Sequence, residues 1–227
     1  MSLNQILAIT ESVGINDQRF VGQVLSRNQR ISTSEILTVV PFQFTLTPMK
    51  YLLYSQNRDV LATLRYYDKA LTQYLNFGVT GWVNYIAYRG SMTSGQIAAC
   101  QWQTSSANKN LVLGNLPTMP SSDYIVRAGD FCQVGLYSYI ATADVQRGSG
   151  STVTIPVHRN LLAAVTSPIA AVIGQYGTTV SMGGSSYTGV TFPVILRDYP
   201  TYTLMPITND SFISWDGNFV AFEAVTT

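Results

Sequence analysis

The chain has 227 residues, of which 46% are apolar and only 11% are charged. Globular domains usually contain about 25% charged residues, so uncharged side chains must provide the solubility here, and 70 residues are Ser, Thr, Asn or Gln. This composition excludes a charge-rich disordered chain and a coiled coil. The net charge of +1 excludes a strongly basic nucleic-acid-binding domain, and low charge combined with high apolarity predicts a subunit that neighbours cover.

The beginning of the chain shows no secretory signal, because no Lys or Arg precedes its first apolar residues. We therefore expect synthesis in a cytoplasm, where Cys100 and Cys132 remain reduced. Two cysteines are too few for a disulfide framework or a structural zinc site, and we expect both to be unbridged and buried. The longest apolar stretch, residues 161–174, is interrupted by polar residues and Pro168, so no membrane insertion by this chain is expected.

Strand patterns dominate residues 20–53. Phe42, Phe44 and Leu46 alternate with polar residues, which is the period of a strand with one buried face. A short β-rich run at residues 36–40 leads into this strand.

One substantial amphipathic helix is predicted at residues 57–74. The segment contains no Gly or Pro, and leucines recur with helical spacing from Leu61 to Leu75. Ser55 or Asn57 can cap the start of the helix. We expect its leucine face to cover one side of a sheet.

Most of the remaining chain is predicted to form strands and turns, with a weaker helix at residues 3–11. The other predicted strands span residues 82–88, 97–103, 111–113, 124–134, 190–196, 202–205 and 218–224. Residues 137–145 and 151–157 flank the glycine-rich turn 147–150 and are predicted to pair as a hairpin. Residues 161–189, rich in Gly, Ala and Ser, are predicted to form a long loop or a flexible hairpin.

These elements predict a mainly β fold with two packed antiparallel sheets or a split β-barrel, flanked by one amphipathic helix. No internal repeat and no linker-like change of composition interrupts the chain. Residues 1–227 are therefore predicted to form a single domain.

Catalytic and cofactor-binding patterns are not found in the sequence, which has no nucleophile elbow, zinc-protease motif or phosphate-binding loop. His158 is the single histidine, and a lone histidine at the end of a strand is more often structural than catalytic. Asp130 and Asp144 precede or follow turns, where aspartate commonly caps backbone amides. The glycine-rich residues 183–186 are expected to form a turn. We predict a non-enzymatic protein with no catalytic residues, no cofactor and no metal site.

Several segments carry a resemblance to a known family through their order along the chain. They are residues 21–47 (VGQVLSRNQRISTSEILTVVPFQFTLT), 54–59 (YSQNRD), 126–134 (VRAGDFCQV), 152–159 (TVTIPVHR) and 212–219 (FISWDGNF). In this order, the sequence resembles virion structural proteins of contractile-tailed, T4-like bacteriophages, particularly those that infect cyanobacteria. The strand after Ala-Gly-Asp and the closing strand are similar to elements that recur in phage tail proteins.

The resemblance implies a structural subunit of the phage tail, similar to a tail-tube or baseplate tube-initiator protein with the tail-tube type of β fold. It implies a homohexameric ring at the junction of tail tube and baseplate, around the DNA channel. The expected partners are adjacent tail-tube and baseplate hub proteins, with no sequence-specific nucleic acid. The expected location is the virion, after synthesis in the host bacterial cytoplasm.

A second hypothesis is a receptor- or glycan-binding module at the tail tip, which would use the Tyr-rich surfaces of the chain. Oligomeric state distinguishes the two, because a tube component forms sixfold rings and an adhesin is usually trimeric.

The subunit interface is predicted in residues 161–174, where no polar periodicity marks a solvent-facing side. The candidate interface residues are Leu161, Leu162, Ile169, Val172 and Ile173. The alternative is that this stretch packs on its own sheet, and for the helix at residues 57–74 that packing is the favoured role of the leucine face.

Overall fold

The computed structural model describes residues 3–16, 21–25, 31–35, 41–65, 71–79, 81–106 and 108–225. The protein is mainly β, with 46% of residues in strands and 15% in helices. The strands form several antiparallel sheets, which confirms the predicted fold class. The predicted β-rich run at residues 36–40 lies outside the described residues.

The described helices are α1 (Asn4–Ala8), α2 (Tyr54–Arg65) and α3 (Ser94–Ala99), with 3₁₀ turns at Phe77–Val79 and Val83–Tyr85. The described strands are β1 (Thr10–Asn16), β2 (Val21–Leu25), β3 (Ile31–Glu35), β4 (Gln43–Pro48), β5 (Leu52–Leu53), β6 (Gln73–Asn76), β7 (Gln101–Trp102), β8 (Asn110–Gly114), β9 (Tyr124–Val126), β10 (Phe131–Val134), β11 (Tyr137–Ile140), β12 (Val145–Gln146), β13 (Thr152–Pro156), β14 (Ile169–Ala170), β15 (Val172–Ile173), β16 (Tyr176–Gly177), β17 (Val180–Met182), β18 (Ser185–Tyr187), β19 (Thr191–Asp198), β20 (Thr201–Ile207), β21 (Asp210–Asp216) and β22 (Phe219–Glu223).

The chain divides into two compact units, each assembled from segments that are distant in sequence. The first unit comprises Met1–Ile9 and Ala70–Val194, and the second comprises Thr10–Lys69 and Ile195–Thr227. The prediction of one domain rested on the lack of a linker-like segment. Each unit combines two separate segments of the chain, and no linker-like change of composition marks the positions where one unit gives way to the other.

The first unit is built on two antiparallel sheets that share one hydrophobic core. One sheet has the strand order β13-β8-β7-β14 and the other β11-β10-β15-β16. Both contribute fully buried side chains to the same cluster, including Trp102, Leu111 and Ile155 from the first sheet and Cys132 and Ile173 from the second. The indole of Trp102 also donates a 2.7 Å hydrogen bond to the Gln133 carbonyl, which joins the sheets across the core.

The second unit contains a sheet in which β4 lies between β1 and β22. Phe42, Phe44 and Leu46 are fully buried while the residues between them are partly exposed, so the predicted alternation is confirmed. The buried Glu223 carboxylate accepts a 3.1 Å hydrogen bond from the Phe42 amide. The hairpin β2–β3 and a second sheet, with the order β20-β21-β5, also belong to this unit.

Helix α2 differs from the predicted helix at residues 57–74. It begins earlier, at Tyr54, and its described part runs to Arg65. Residues 66–70 lie outside the described part, and Gln73–Asn76 is strand β6. Leu75 is buried within that strand, so its agreement with the leucine spacing of the helix was fortuitous. A short apolar run fits the period of a helix as well as that of a strand, and in the folded chain these residues pair in a sheet.

Two further regions correct the predicted secondary structure near the middle of the chain. Residues 82–88 were predicted as a strand, but Val83–Tyr85 forms a 3₁₀ turn. Residues 97–103 were predicted as a strand, yet α3 occupies Ser94–Ala99 and only β7 follows it. At the N-terminus, the weaker predicted helix is present as Asn4–Ala8 and gives way to β1.

The predicted hairpin of residues 137–145 with 151–157 is wrong for most of its length. Instead, β11 pairs with β10, β12 pairs with β9, and β13 pairs with β8. Within the described chain, these two stretches meet at a bridge between Ala141 and Val157. The alternation of apolar and polar residues identifies a strand but does not specify which strand pairs with it. The pairing depends on how the two sheets pack.

Residues 161–189 form short strands and hairpins, which answers the choice left open between a loop and a hairpin. Strand β14 belongs to one core sheet of the first unit, and strands β15 and β16 belong to the other. Strand β17 pairs with β18. Gly183 and Gly184 connect the last two strands with φ values of 57° and 79°. Two consecutive positive φ angles are typical of a type I′ hairpin turn and favour glycine, so the predicted turn is confirmed.

Candidate subunit interface

The five residues predicted as an interface lie within the first unit, where the chain itself covers most of them. Leu161, Val172 and Ile173 are buried, and Leu162 and Ile169 are partly buried against the hydrophobic core. Strand β15 also pairs on both sides, with β10 and β16. Their side chains therefore pack on their own sheets, which is the alternative that the sequence had left open.

Large exposed apolar side chains are concentrated in the second unit. Among the described residues they are Met49, Tyr51, Leu71, Leu136, Ile195, Leu204, Met205 and Ile207. All except Leu71 and Leu136 belong to the second unit. Extended apolar patches on soluble proteins commonly mark interaction surfaces, so this unit is the better candidate for an interface.

Strand β20 carries the centre of this apolar surface. It lies at the edge of its sheet, where β21 is its pairing partner among the described strands. Every residue of β20 except Tyr202 is exposed, including Leu204, Met205 and Ile207. Natural edge strands are usually protected by charged residues, but β20 contains none. Pro206 is the one feature of this strand that is typical of a protected edge.

A groove of about 550 Å³ lies between α2 and the hairpin β20–β21, and we call it the helix-side groove. Leu61 and Leu64 of α2 form one wall, and Tyr202, Leu204 and Trp215 contribute to the other. The Tyr202 and Trp215 rings meet edge to face with centroids 5.3 Å apart, which gives the apolar wall a fixed shape.

A second groove, of about 380 Å³, lies beside the loop between β4 and β5, and we call it the loop-side groove. Met49, Lys50 and Tyr51 of this loop line it together with Met205 and Trp215 of the hairpin. Trp215 therefore borders both grooves. Its indole Nε1–H is buried and has no hydrogen-bond acceptor among the described residues.

Tyr51 has an unusual backbone conformation at the loop-side groove. Its φ is 62°, and its side chain is 71% exposed. A bulky residue in the left-handed region costs free energy, and such strain is often found at functional positions. The ring contacts Phe212 edge to face at 6.0 Å, so β21 supports the exposed tyrosine.

The polar residues that a catalytic site would use have structural roles in the first unit. The buried Asp130 carboxylate accepts hydrogen bonds from the amides of Arg127 and Arg89 at 2.8 and 3.1 Å, and the Arg89 guanidinium lies 3.4 Å away. Asp144 accepts a 2.8 Å hydrogen bond from the Ala128 amide. These contacts confirm that both aspartates cap backbone amides.

His158 holds the bridge between two strands. Its Nδ1 accepts a 3.0 Å hydrogen bond from the Ile140 amide, and its own amide donates to the Ile140 carbonyl at 3.0 Å. The ring therefore acts as a fixed backbone acceptor here. Within the described residues, no group of three or more His, Cys, Asp or Glu side chains is placed to hold a metal ion.

Cys100 and Cys132 are both free and buried, as predicted. Burial raises the pKa of Cys100 to about 11 and raises the pKa of Cys132 still further, with the nearby Asp130 carboxylate adding to the latter effect. Both thiols are therefore protonated at neutral pH and are poor nucleophiles.

Comparison with known proteins adds no identification. No protein-family model matches the sequence, and no curated protein is significantly similar to it. None of the helices in the described part of the chain has the length and apolar content that crossing a lipid bilayer requires.

The sequence pattern predicted a strand at residues 202–205 but did not indicate that most of its side chains are exposed. A run with apolar residues on both faces is typical of a buried strand, and no local signal distinguishes it from an exposed edge. Pro206 could have indicated an edge position. Helix α3 had a clearer signal, because Thr93 and Gln96 form a capping box that the sequence displays.

Proposed function

We propose that this chain is a non-enzymatic structural subunit of a bacteriophage tail. The subunit forms a ring at the junction of tail tube and baseplate, around the DNA channel. The observation that carries the proposal is the uncharged, exposed apolar edge of β20, flanked by two grooves. A monomer that left this surface bare would tend to aggregate, whereas a ring subunit buries it against a neighbour.

Two other features support an assembly role. The chain is poor in charge and rich in uncharged polar residues, which suits a surface that neighbours cover. The segments whose order along the chain resembles T4-like virion proteins include residues 212–219, which belong to the same unit as β20. The proposed partners are copies of this chain in a homohexamer, together with adjacent tail-tube and baseplate hub proteins.

Oligomeric state tests this proposal directly. The purified chain should form rings with sixfold symmetry in electron micrographs, either alone or after addition of tail-tube protein. In phage particles, a label on this subunit should appear at the junction of tube and baseplate. A chain that stays monomeric at all concentrations and is missing from purified tails would contradict the proposal.

A receptor- or glycan-binding module at the tail tip is the second candidate function. The exposed Tyr51 beside Trp215 in the loop-side groove favours it, because aromatic faces stack on sugar rings. This candidate predicts a trimeric, peripheral protein that binds host-cell glycans. Replacing Tyr51 with Ala would then abolish glycan binding and leave the oligomer unchanged.

A further inference from the structure

We infer that the helix-side groove binds a long-chain carboxylate, with the carboxylate on Arg65 and the apolar chain along the leucines of α2. The occupant is a single dissolved molecule with an anionic head and an extended hydrocarbon body, for which dodecanoate is the test ligand. This binding site goes beyond the proposed assembly function and does not depend on it.

The groove exists because α2 covers only part of the hairpin β20–β21. Leu204 of β20 and Ile213 of β21 are cross-strand partners, and side chains paired in this way lie on the same face of the sheet. Helix α2 packs against β21. Ile213 is 1% exposed, whereas Leu204 is 44% exposed. The shared face is therefore covered over β21 and left open over β20.

The walls of the groove are long and apolar. Leu61 and Leu64 lie about one turn apart on α2, and Arg65 follows directly. From Leu61 to Arg65 this wall extends for about 6 Å, at about 1.5 Å of rise per residue. Tyr202 and Leu204, on the opposite wall, lie about 7 Å apart on one face of β20. Walls of this shape suit an extended chain, and the volume of about 550 Å³ is in the usual range of small-molecule sites.

Packed aromatic rings hold part of the groove in a fixed shape. The Trp215 ring meets the Tyr202 ring at 5.3 Å and the Phe219 ring at 5.4 Å, and Phe219 meets Tyr199 at 5.8 Å. All three pairs are edge to face, which is a favourable arrangement of aromatic rings. All four residues line the groove. A ligand chain therefore binds to a wall that is already ordered, and this lowers the entropic cost of binding.

Arg65 supplies the polar end of the site. It is the charged member of the described lining, in which no acid is present. Arg65 is exposed, and the ion pairs among the described side chains, Arg89–Asp130 and Arg197–Asp198, do not include it. A guanidinium can hold a carboxylate through two parallel hydrogen bonds. Charge complementarity thus favours an anionic head group over a cationic one.

A long-chain carboxylate matches both parts of the groove. A hydrophilic anion would leave the apolar walls in contact with water, and a neutral hydrocarbon would make no use of Arg65. The acyl chain covers exposed carbon surface such as that of Leu204, and removal of apolar surface from water is the main source of binding free energy.

The first test examines the head group by isothermal titration of the purified chain below the concentration at which micelles form. The chain should bind one dodecanoate molecule and should bind dodecyltrimethylammonium about threefold or more weakly, as expected for an exposed ion pair. Arg65→Glu should reverse this preference, because the partner of the head group changes sign. The matched control is Arg58→Glu, at an exposed position of α2 outside the groove lining, which should keep the preference. Absence of dodecanoate binding, or the same behaviour of both variants, would overturn the inference.

The second test locates the acyl chain with two leucines of equal exposure. Leu204 and Leu136 are both 44% exposed, but Leu136 lies in the first unit at the β10–β11 turn. Leu204→Asn should weaken dodecanoate binding by about fivefold or more, because apolar contact with the chain is lost. Leu136→Asn should leave the affinity unchanged, and a cooperative unfolding transition verifies that each variant is folded. Equal affinities of the two variants would show that the chain does not lie in this groove.

The outcomes separate this inference from the proposed function. Rings that form from a chain that does not bind dodecanoate would overturn the inference and leave the assembly function standing. Dodecanoate binding by a chain that stays monomeric and is missing from tails would support the inference and contradict the assembly function. Binding to vesicles that contain phosphatidylglycerol, without binding of dissolved dodecanoate, would indicate a membrane surface as the partner and would overturn the inference.

Discussion

The carboxylate of Asp210 holds the first turn of helix α2 through Ser55. Its Oδ2 accepts a 2.6 Å hydrogen bond from the Ser55 hydroxyl, and its Oδ1 accepts a 3.2 Å hydrogen bond from the Ser55 amide. Asp210 begins β21, so this contact joins the turn end of the hairpin β20–β21 to the first turn of helix α2. A negative charge at the start of a helix is also favoured by the helix dipole.

The Asp210 contact predicts a pH-dependent stability. Hydrogen bonds from the Ser55 hydroxyl and, next, from the Ser211 amide hold the pKa of Asp210 below its ordinary value. A carboxyl group with a lowered folded-state pKa contributes stability above its unfolded pKa, and this contribution is lost as the pH falls through the folded-state value. Asp210→Asn should therefore reduce stability at pH 7 and lessen the loss of stability on acidification below about pH 4. Urea unfolding at several pH values measures both effects, with Asp216→Asn at the other end of β21 as the control; an unchanged pH profile in Asp210→Asn would contradict the assignment.

The two cysteines should be present as unreactive thiols. Burial raises the pKa of Cys100 to about 11, and Cys132 is fully buried with its pKa also raised, so little thiolate exists at pH 8. A thiol reagent should react slowly with the native chain and should count two thiols per chain after denaturation without reductant. A count of zero would show a disulfide, and rapid reaction of the native protein would show that the thiols are accessible.

Loss of the Asp130 carboxylate should destabilise the first unit. Asp130→Ala leaves the amides of Arg127 and Arg89 without their acceptor in two part-buried hydrogen bonds, which should lower the free energy of unfolding by about 1 to 3 kcal/mol. The matched control is Asp144→Ala, which removes one hydrogen bond from an exposed aspartate and should cost less. Denaturant unfolding of both variants measures the difference, and equal losses would argue against the role of Asp130.

Charges placed in residues 161–174 should affect folding before assembly. Val172 is 1% exposed and its strand is paired on both sides, so Val172→Asp buries an unpaired charge at a cost of several kcal/mol. We expect the variant to be insoluble or to lose its cooperative unfolding transition. Ala170→Asp, at an exposed neighbouring position, should fold normally. A folded Val172→Asp variant that failed only in assembly would restore this stretch as an interface.

Replacement of His158 should have a small structural effect. His158→Ala removes the acceptor of the Ile140 amide, so the free energy of unfolding should fall by about 1 kcal/mol. Assembly should remain intact, because the residue acts within the first unit. Loss of an enzymatic activity in a folded His158→Ala protein would instead contradict the non-enzymatic function.

Local sequence patterns predicted the structure correctly where the immediate environment of a residue determines its role. The alternation of Phe42, Phe44 and Leu46 predicted a strand with one buried face, because side chains of a strand alternate between two environments. The turn at Gly183 and Gly184 was equally accessible, since its backbone conformation favours glycine. The same kind of reasoning failed for Leu75, whose spacing fitted a helix as well as a strand.

The sequence by itself determined the mainly β fold class, the buried free cysteines and the structural use of Asp130, Asp144 and His158. These features follow from residue type and immediate neighbours. The tertiary structure decided which apolar residues remain exposed. Strand β15 and strand β20 are both apolar in sequence, but β15 lies in the packed core of the first unit and is buried, whereas β20 lies at the edge of its sheet and its side chains are exposed. Exposure depends on long-range strand order, and a pattern of neighbouring residues does not contain that information.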